Sequence, residues 1–248
     1  MASQGMVLCI GLRKLLRLQA RRFERSTMLS NPKELGMTEI DLPLLERWLT
    51  GWSLSRGVPL PIREEGGLRV EVGMPLQVRR YVFLDAGPAL QTCAEQIHAP
   101  HIYLKVPVDP AVLCAALPAR WAVEAPGYLM LGSASMSRQV ELPSGYAIEK
   151  STEHGAKLVR VLHTNGEVAA SGRITMHEGC AVFDQIVTTE SHRRRGLGKV
   201  VMQNLDALAT QAKVTERLLV ATEAGRGLYM SLGWRLLAPW ATAVLPAP

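Results

Sequence analysis

The stretch "HRRRGLGK", His192 to Lys199, sets three consecutive arginines against a Gly-Leu-Gly step. Ahead of it "AVFDQIVT" has strand character. After it, "GKVVMQNLDALATQA" carries Val201, Leu205, Leu208 and Ala212 at helical spacing, so one face is apolar. The loop therefore joins a strand to a helix start. A helix start leaves amide N–H groups unpaired and carries partial positive charge. Gly196 and Gly198 let a ligand approach the backbone with no Cβ in the way, and the arginines add charge. A pyrophosphate suits amides running from about Arg194 to Lys199; the plain alternative is a solvated basic turn. Two familiar phosphate loops are excluded. GxxxxGK[ST] fails because Arg193 stands five before Gly198 and Val200 follows Lys199. GxGxxG fails because Val201 takes the third glycine's place and antiparallel strands precede the loop.

Working back from the loop, "KLVRVLH" and "EVAASGRITM" flank "TNGE", where Asn165-Gly166 is a preferred pair for a tight type I′ hairpin turn. "HEGC" gives another turn at Gly179, so three antiparallel strands form a meander ending at the loop. Working forward, "RLLVAT" reads as a buried strand and "GRGLYMSLG" as a short helix closed by Gly233. "WRLLAPWATAVL" supplies the last strand or strands, which Pro239 breaks or puts on an edge.

The first half is also mixed α/β. "TEIDLPLLERWLTGWSLSRG" has Leu44, Leu45, Trp48, Leu49 and Trp52 on one helical stripe, stopping at Gly57. "LRVEVG" and "RYVFLD" read as strands, a helix runs from about Ala89 to Ile97, "IYLKVPV" is a strand and "PAVLCAAL" a helix with proline at its start. "WAVEAPGYLML" closes this half as strand-like residues, and Ser133–Ser144 reads as a linker. The division expected is a basic extension over 1–36, an N-terminal α/β domain over 37–135 and a second domain over 140–248.

Composition narrows the function classes. The net charge of +6 invites a nucleic-acid reading, but residues 1–36 hold seven bases and two acids, leaving only +1 for the rest. A phosphate-backbone binder is therefore not expected. No stretch approaches the roughly 18 apolar residues that span a bilayer. Cys9, Cys93, Cys114 and Cys180 lie far apart without CxxC spacing, which argues against a zinc site or disulfide framework and fits a reducing compartment. His98 and His101 in "HAPH" read as loop residues, and no metal site is expected. The arginine-rich segment before residue 28 can be read as an organelle presequence; the reading preferred is an extension outside the fold of a cytoplasmic protein.

Residues 145–245 resemble the Gcn5-related N-acetyltransferase (GNAT) family. Arg193, Gly196 and Gly198 fill its Arg/Gln-x-x-Gly-x-Gly/Ala signature, and "GRGLYMSLGW" is similar to its later helix, where a Leu-Tyr pair precedes Leu-Gly-aromatic. The resemblance implies a mixed, mostly antiparallel sheet with flanking helices, and acetyl-CoA as co-substrate with a primary amine as acceptor. It places the pantetheine against the backbone of Ile186, Val187 and Thr188 and the diphosphate at Arg193, Arg194, Arg195, Gly196, Leu197, Gly198 and Lys199. By position Tyr229 matches the general acid, against the alternative of a packed aromatic. The base is Asp184 or Glu190, or water relays the proton. One departure stands out: the family sets two helices between its first two strands, whereas "YAIEK" and "KLVRV" are joined only by "STEHGA". Residues 38 to about 135 are expected to supply that wall, as a diverged second copy of the fold. A silent acetyl-CoA-binding or interaction module is the alternative function, and homodimerisation is left open.

Overall fold

A computed structural model describes residues 40–64, 66–132, 136 and 140–247. The basic extension 1–36 lies outside the described residues, as do 133–135 and 137–139 of the expected linker. Where it is described, that segment is tied down: the Met136 amide donates to Asp206 at 3.2 Å and the Val140 amide to Gln203 at 2.8 Å.

Helix α1 (Leu42–Arg56) forms where the apolar stripe predicts it, and Leu44, Leu45, Trp48, Leu49 and Trp52 are all buried. Asp41 caps it by accepting from the Leu44 amide, and Gly57 ends it in the left-handed region at φ 64. Strands β1 (Ile62–Glu64), β2 (Gly67–Met74) and β3 (Gln77–Phe83) follow as an antiparallel set. Helix α2 (Pro88–Gln96) then crosses to β4 (Ile102–Val106), which is parallel to β3. Helix α3 (Pro110–Ala116), β5 (Ala122–Val123) and β6 (Gly127–Gly132) complete the first half.

The second half opens directly on strands. Strands β7 (Tyr146–Glu153), β8 (Ala156–His163), β9 (Val168–His177) and β10 (Cys180–Thr188) are antiparallel neighbours. Helix α4 (Leu197–Gln211) crosses to β11 (Glu216–Thr222), parallel to β10, and α5 (Glu223–Ser231) leads to β12 (Arg235–Val244). The whole is a mixed α/β structure with a mostly antiparallel sheet, as expected, in the order β1-β2-β3-β4-β12-β6-β11-β10-β9-β8-β7.

Two local expectations are corrected. Asn165-Gly166 is not a type I′ pair, since only Gly166 is left-handed, at φ 86. The Asn165 side chain accepts from the Glu167 amide at 3.0 Å, which holds the residue in a wider turn closed by His163 and Glu167. The paired left-handed residues are instead His154-Gly155 and Glu178-Gly179. Pro239 neither breaks β12 nor lies on an outer strand. It sits where β12 is paired on one side only, with β6, so its missing N–H leaves no bond unmade.

The two halves exchange strands. β6 lies between β11 and the start of β12, while Ala241–Val244 at the end of β12 pair with β4, and Ala243 and Val244 of these pair with β5 as well. The expected boundary at 135–140 thus follows a strand built into the second half's sheet. Helix α1 crosses over in the same sense, packing on β9 and β10, with Arg47 bridging to Glu216 at 2.9 Å. Helix α4 covers the opposite face. A buried ion pair, Arg217 to Asp206 at 2.6 Å, pins α4 to β11, and Arg217 also donates to the Val214 carbonyl and the Thr210 hydroxyl. Cys114 is disulfide-bonded, so the inference from cysteine spacing fails for that residue.

Seating α1 depends on a small residue. A Cβ at Gly51 would lie 2.4 Å from Cγ2 of Val182 on β10. Gly51→Ala is therefore expected to lower stability by about 1–3 kcal/mol despite alanine's better helix propensity. Urea unfolding should show Val182→Ala costing less in the Gly51→Ala background than alone.

Candidate active site

The site begins with a failure of strand pairing. β10 and β11 are in register only over Cys180–Val182. Beyond that, Gln185 adopts φ 53 and a bulge between Asp184 and Val187 turns β10, whose later residues pair only with β9. β11 runs straight on, because β6 holds it from Arg217 to Thr222. The two strands splay, and the backbone of Ile186, Val187 and Thr188 faces the gap without a partner from β11.

The gap opens into a cavity of about 210 Å³, an order of magnitude above the roughly 15 Å³ that admits one water. The second half lines it with Phe183, Asp184, Ala221 and Thr222; the first half contributes Trp48, Trp52, Arg80 and Lys105. First-half residues thus reach the cavity from α1, β3 and β4.

The glycine-rich loop lies at the end of β10. After a 3-10 turn (Glu190–His192), Arg193 is extended, Arg194 is left-handed at φ 61 and Gly196 at φ 78 caps α4. No backbone amide from Arg194 to Gly198 finds an acceptor among the described residues. A Cβ at Gly198 would stand 3.0 Å from Leu228 and 3.6 Å from the Thr188 hydroxyl, so only glycine keeps this rim open. Arg193, Arg194 and Arg195 are exposed; Leu197 is buried and anchors the helix, and Lys199 is half-buried. Arg195 donates to the Tyr146 hydroxyl at 3.1 Å and to the Ser191 carbonyl, while the same hydroxyl meets Nδ1 of the buried His192 at 2.7 Å. Arg195 therefore braces the loop. The row of unpaired amides, the left-handed glycine and two freely exposed guanidiniums form a cradle that fits a diphosphate.

Tyr229 projects from α5 back toward the end of β11, as helical side chains do. It is buried, with its ring 6.1 Å from Trp234, which in turn stacks edge-on against Phe183. Burial, then the Asp184 charge, pushes its phenol up to about 12. It keeps its proton at neutral pH. Asp184 lines the cavity but is already engaged: Arg56 grips it at 2.9 and 3.0 Å, and the Ser55 hydroxyl adds a third bond at 2.8 Å. Glu190 is exposed on the 3-10 turn and does not reach the cavity lining. The structure thus brings Asp184 to the cavity with a partner, and leaves Glu190 outside it. Sequence reasoning missed Trp52, Arg56, Arg80 and Lys105. Lys105 did carry a signal, as a charge inside the apolar run "IYLKV".

Fold and site define a class of open, splayed α/β sheets with a glycine-rich helix cap. Within that class, residues 132–234 match the Acetyltransferase (GNAT) family model. A GCN5-related N-acetyltransferase from Kribbella flavida has the same fold at TM-score 0.61 and 14% identity, over 85% of this chain and 97% of that one. A functionally unknown conserved protein from Staphylococcus epidermidis follows at TM-score 0.56 and 10% identity, over 85% and 99%. A GCN5-related N-acetyltransferase-like protein from Streptococcus suis gives 0.50 and 13%, over 82% and 98%. Their coverage exceeds what the second half alone can supply, so the likeness of fold extends into the first. No curated protein matches the sequence significantly.

The Arg56–Asp184 pair should couple α1 to the cavity floor. Arg56→Met and Asp184→Asn are each expected to lose about 1–3 kcal/mol. A double-mutant cycle by denaturant unfolding should return a favourable coupling.

Proposed function

We propose that the protein is an acetyl-CoA-dependent N-acetyltransferase, acting by direct attack of a primary amine on the thioester. The observation that carries this reading is the run of unpaired amides from Arg194 to Gly198 at the mouth of the β10–β11 splay. They would hold the diphosphate with Arg193, Arg194 and Lys199. The pantetheine would follow the backbone of Ile186, Val187 and Thr188 on the side that β11 leaves without a partner, which brings the acyl group to the gap between Phe183 and Ala221. Acetyl-CoA supplies the activated acyl carbon.

The amine, neutral when it attacks from the cavity, forms the C–N bond as the C–S bond breaks. The departing thiolate takes a proton from Tyr229, which its buried surroundings keep protonated. The proton released by the nitrogen leaves through water in the cavity. Asp184 is better suited to positioning than to proton removal, because Arg56 and Ser55 occupy its oxygens. Glu190, the other candidate base, is exposed and not part of the cavity lining, so a water relay serves the amine better. In this reading the first half, residues 37–135, is a diverged copy of the fold whose task is to wall the acceptor side of the domain at 140–248.

Acetyl-CoA at a hundred times its Kd is expected to add about 2.7 kcal/mol of stability in a thermal-shift titration, and Gly196→Glu to abolish that gain. No stabilisation of the wild type would refute the reading. Stabilisation without thiol release from any amine would point to a silent binding module instead.

Tyr229→Phe is expected to lower kcat by about 10²- to 10⁴-fold while leaving acetyl-CoA affinity unchanged. Stopped thiol-release assays at saturating acetyl-CoA check it. An unchanged kcat would return Tyr229 to the role of a packed aromatic.

A further inference from the structure

The acceptor side of the cavity carries more positive charge than its architecture needs. Arg80, on β3, is buried, with its guanidinium 3.6 Å from the centre of the Trp52 ring. Its Nε is buried without a hydrogen-bond partner among the described residues, and the guanidinium's bond to Gln77 on the same strand is long at 3.4 Å. Lys105, on the neighbouring β4, lines the same cavity, and its ammonium donates to the Thr242 hydroxyl at 2.8 Å. Neither cation forms an ion pair among the described residues. The Arg56 guanidinium also lies 4.8 Å from the centre of the Trp52 ring, but it is engaged by Asp184.

Every charge facing this cavity can be named. The acids are Asp184, matched by Arg56, and Glu124, exposed ahead of the Ala125–Gly127 rim and acting on both cations at a distance. Asp184 and Arg56 cancel. Glu124 offsets one of Arg80 and Lys105 at most, so with both protonated, as a bound anion would hold them, the cavity carries a surplus of about one positive charge. Burial is the main force against that charge: it pulls Arg80 down to about 9 and Lys105 well below the usual ammonium range, and each cation's repulsion of its neighbours adds to this. A purely structural role would be served better by an acid partner or by apolar side chains, since unpaired buried charge is costly. A bound anion removes the penalty.

We propose that Arg80 and Lys105 form a carboxylate-binding subsite, so that the acceptor is a small amine bearing a carboxylate, of the amino-acid class. Trp48, Trp52 and Trp240 give the same cavity an apolar wall for the acceptor's side chain, with Trp48 and Trp240 packed edge to face at 4.8 Å. A single negative charge fits the surplus; a phosphate dianion would exceed it. The inference rests on the acetyltransferase reading for the direction of the amine, which must face Phe183 and Ala221 while the carboxylate lies toward β3 and β4.

The test uses matched acceptors: phenylalanine, its carboxamide and phenethylamine, with leucine and isopentylamine as a second set. Thiol release and calorimetric binding are both measured on the acetyl-CoA complex. Carboxylate acceptors are expected to be favoured in kcat/KM, or in affinity where turnover is slow, by about 10- to 100-fold over their neutral counterparts. In Lys105→Met and Arg80→Met that preference should collapse toward one, with the acetyl-CoA thermal shift retained as proof of folding. Equal handling of acid and neutral amine by the wild type, or binding of neither, overturns the subsite. So does a preference that survives both substitutions. Failure of the acetyl-CoA shift in the wild type is a separate result that strikes the acetyltransferase reading itself.

Discussion

Strand β11 cannot satisfy both of its neighbours along its whole length, and the site grows out of that conflict. From Arg217 to Thr222 it is bonded to β6, a strand supplied by the first half. β10 keeps register with it for three residue pairs and then bends away at the Gln185 bulge. A continuous sheet would have closed the gap with backbone hydrogen bonds. The divergence leaves backbone polar groups facing a space rather than another strand, which is tolerable only where water or a ligand meets them. The α4 cap adds further unpaired amides at the same end. Chemistry has room here because the sheet is held firmly on one side of the break and released on the other.

The two faces of the break have separate histories in the chain. One receives the glycine-rich loop, α4 and α5, all from the segment that matches the GNAT family model. The other is covered by α1 and by β3 and β4, which come from the first half. The glycine-rich loop and the splayed end of β10 therefore lie within residues 132–234, whereas Trp48, Trp52, Arg80 and Lys105 on the cavity wall lie outside them. This division explains why that wall was the least legible part of the site: its residues belong to no motif.

Legibility followed the range of the interaction. Local patterns spoke plainly: the α1 stripe and its Gly57 stop, the α4 face, the turns with glycine in the second position, and the glycine cap before Leu197. Where a short motif was misread, a local competitor won, as when the Asn165 side chain captured the Glu167 amide. Long-range placement was silent. Nothing in "GYLML" says that it pairs with "RLLVAT", and nothing around Pro239 reveals that the strand is bonded on one side there. Asp184 was legible as an acid near the site, but its engagement by Arg56 and Ser55 depends on α1 packing across 128 residues of chain. Lys105 alternates away from Ile102, Leu104 and Val106 as a solvent-facing residue would; only the tertiary fold covers that second face.

The reciprocal placement of β6 and β12 also bears on how the polypeptide reaches its native state. The first half lacks its interior strand until Ala241–Val244 have been synthesised, because those residues pair with β4, and Ala243 and Val244 with β5 as well. During translation, then, β4 waits with an open edge through the making of more than a hundred further residues, and β6 waits likewise for β11. Assembly of both half-sheets is thus deferred until β12 has been made, and the strand edges that wait are the segments most open to wrong pairing in the meantime.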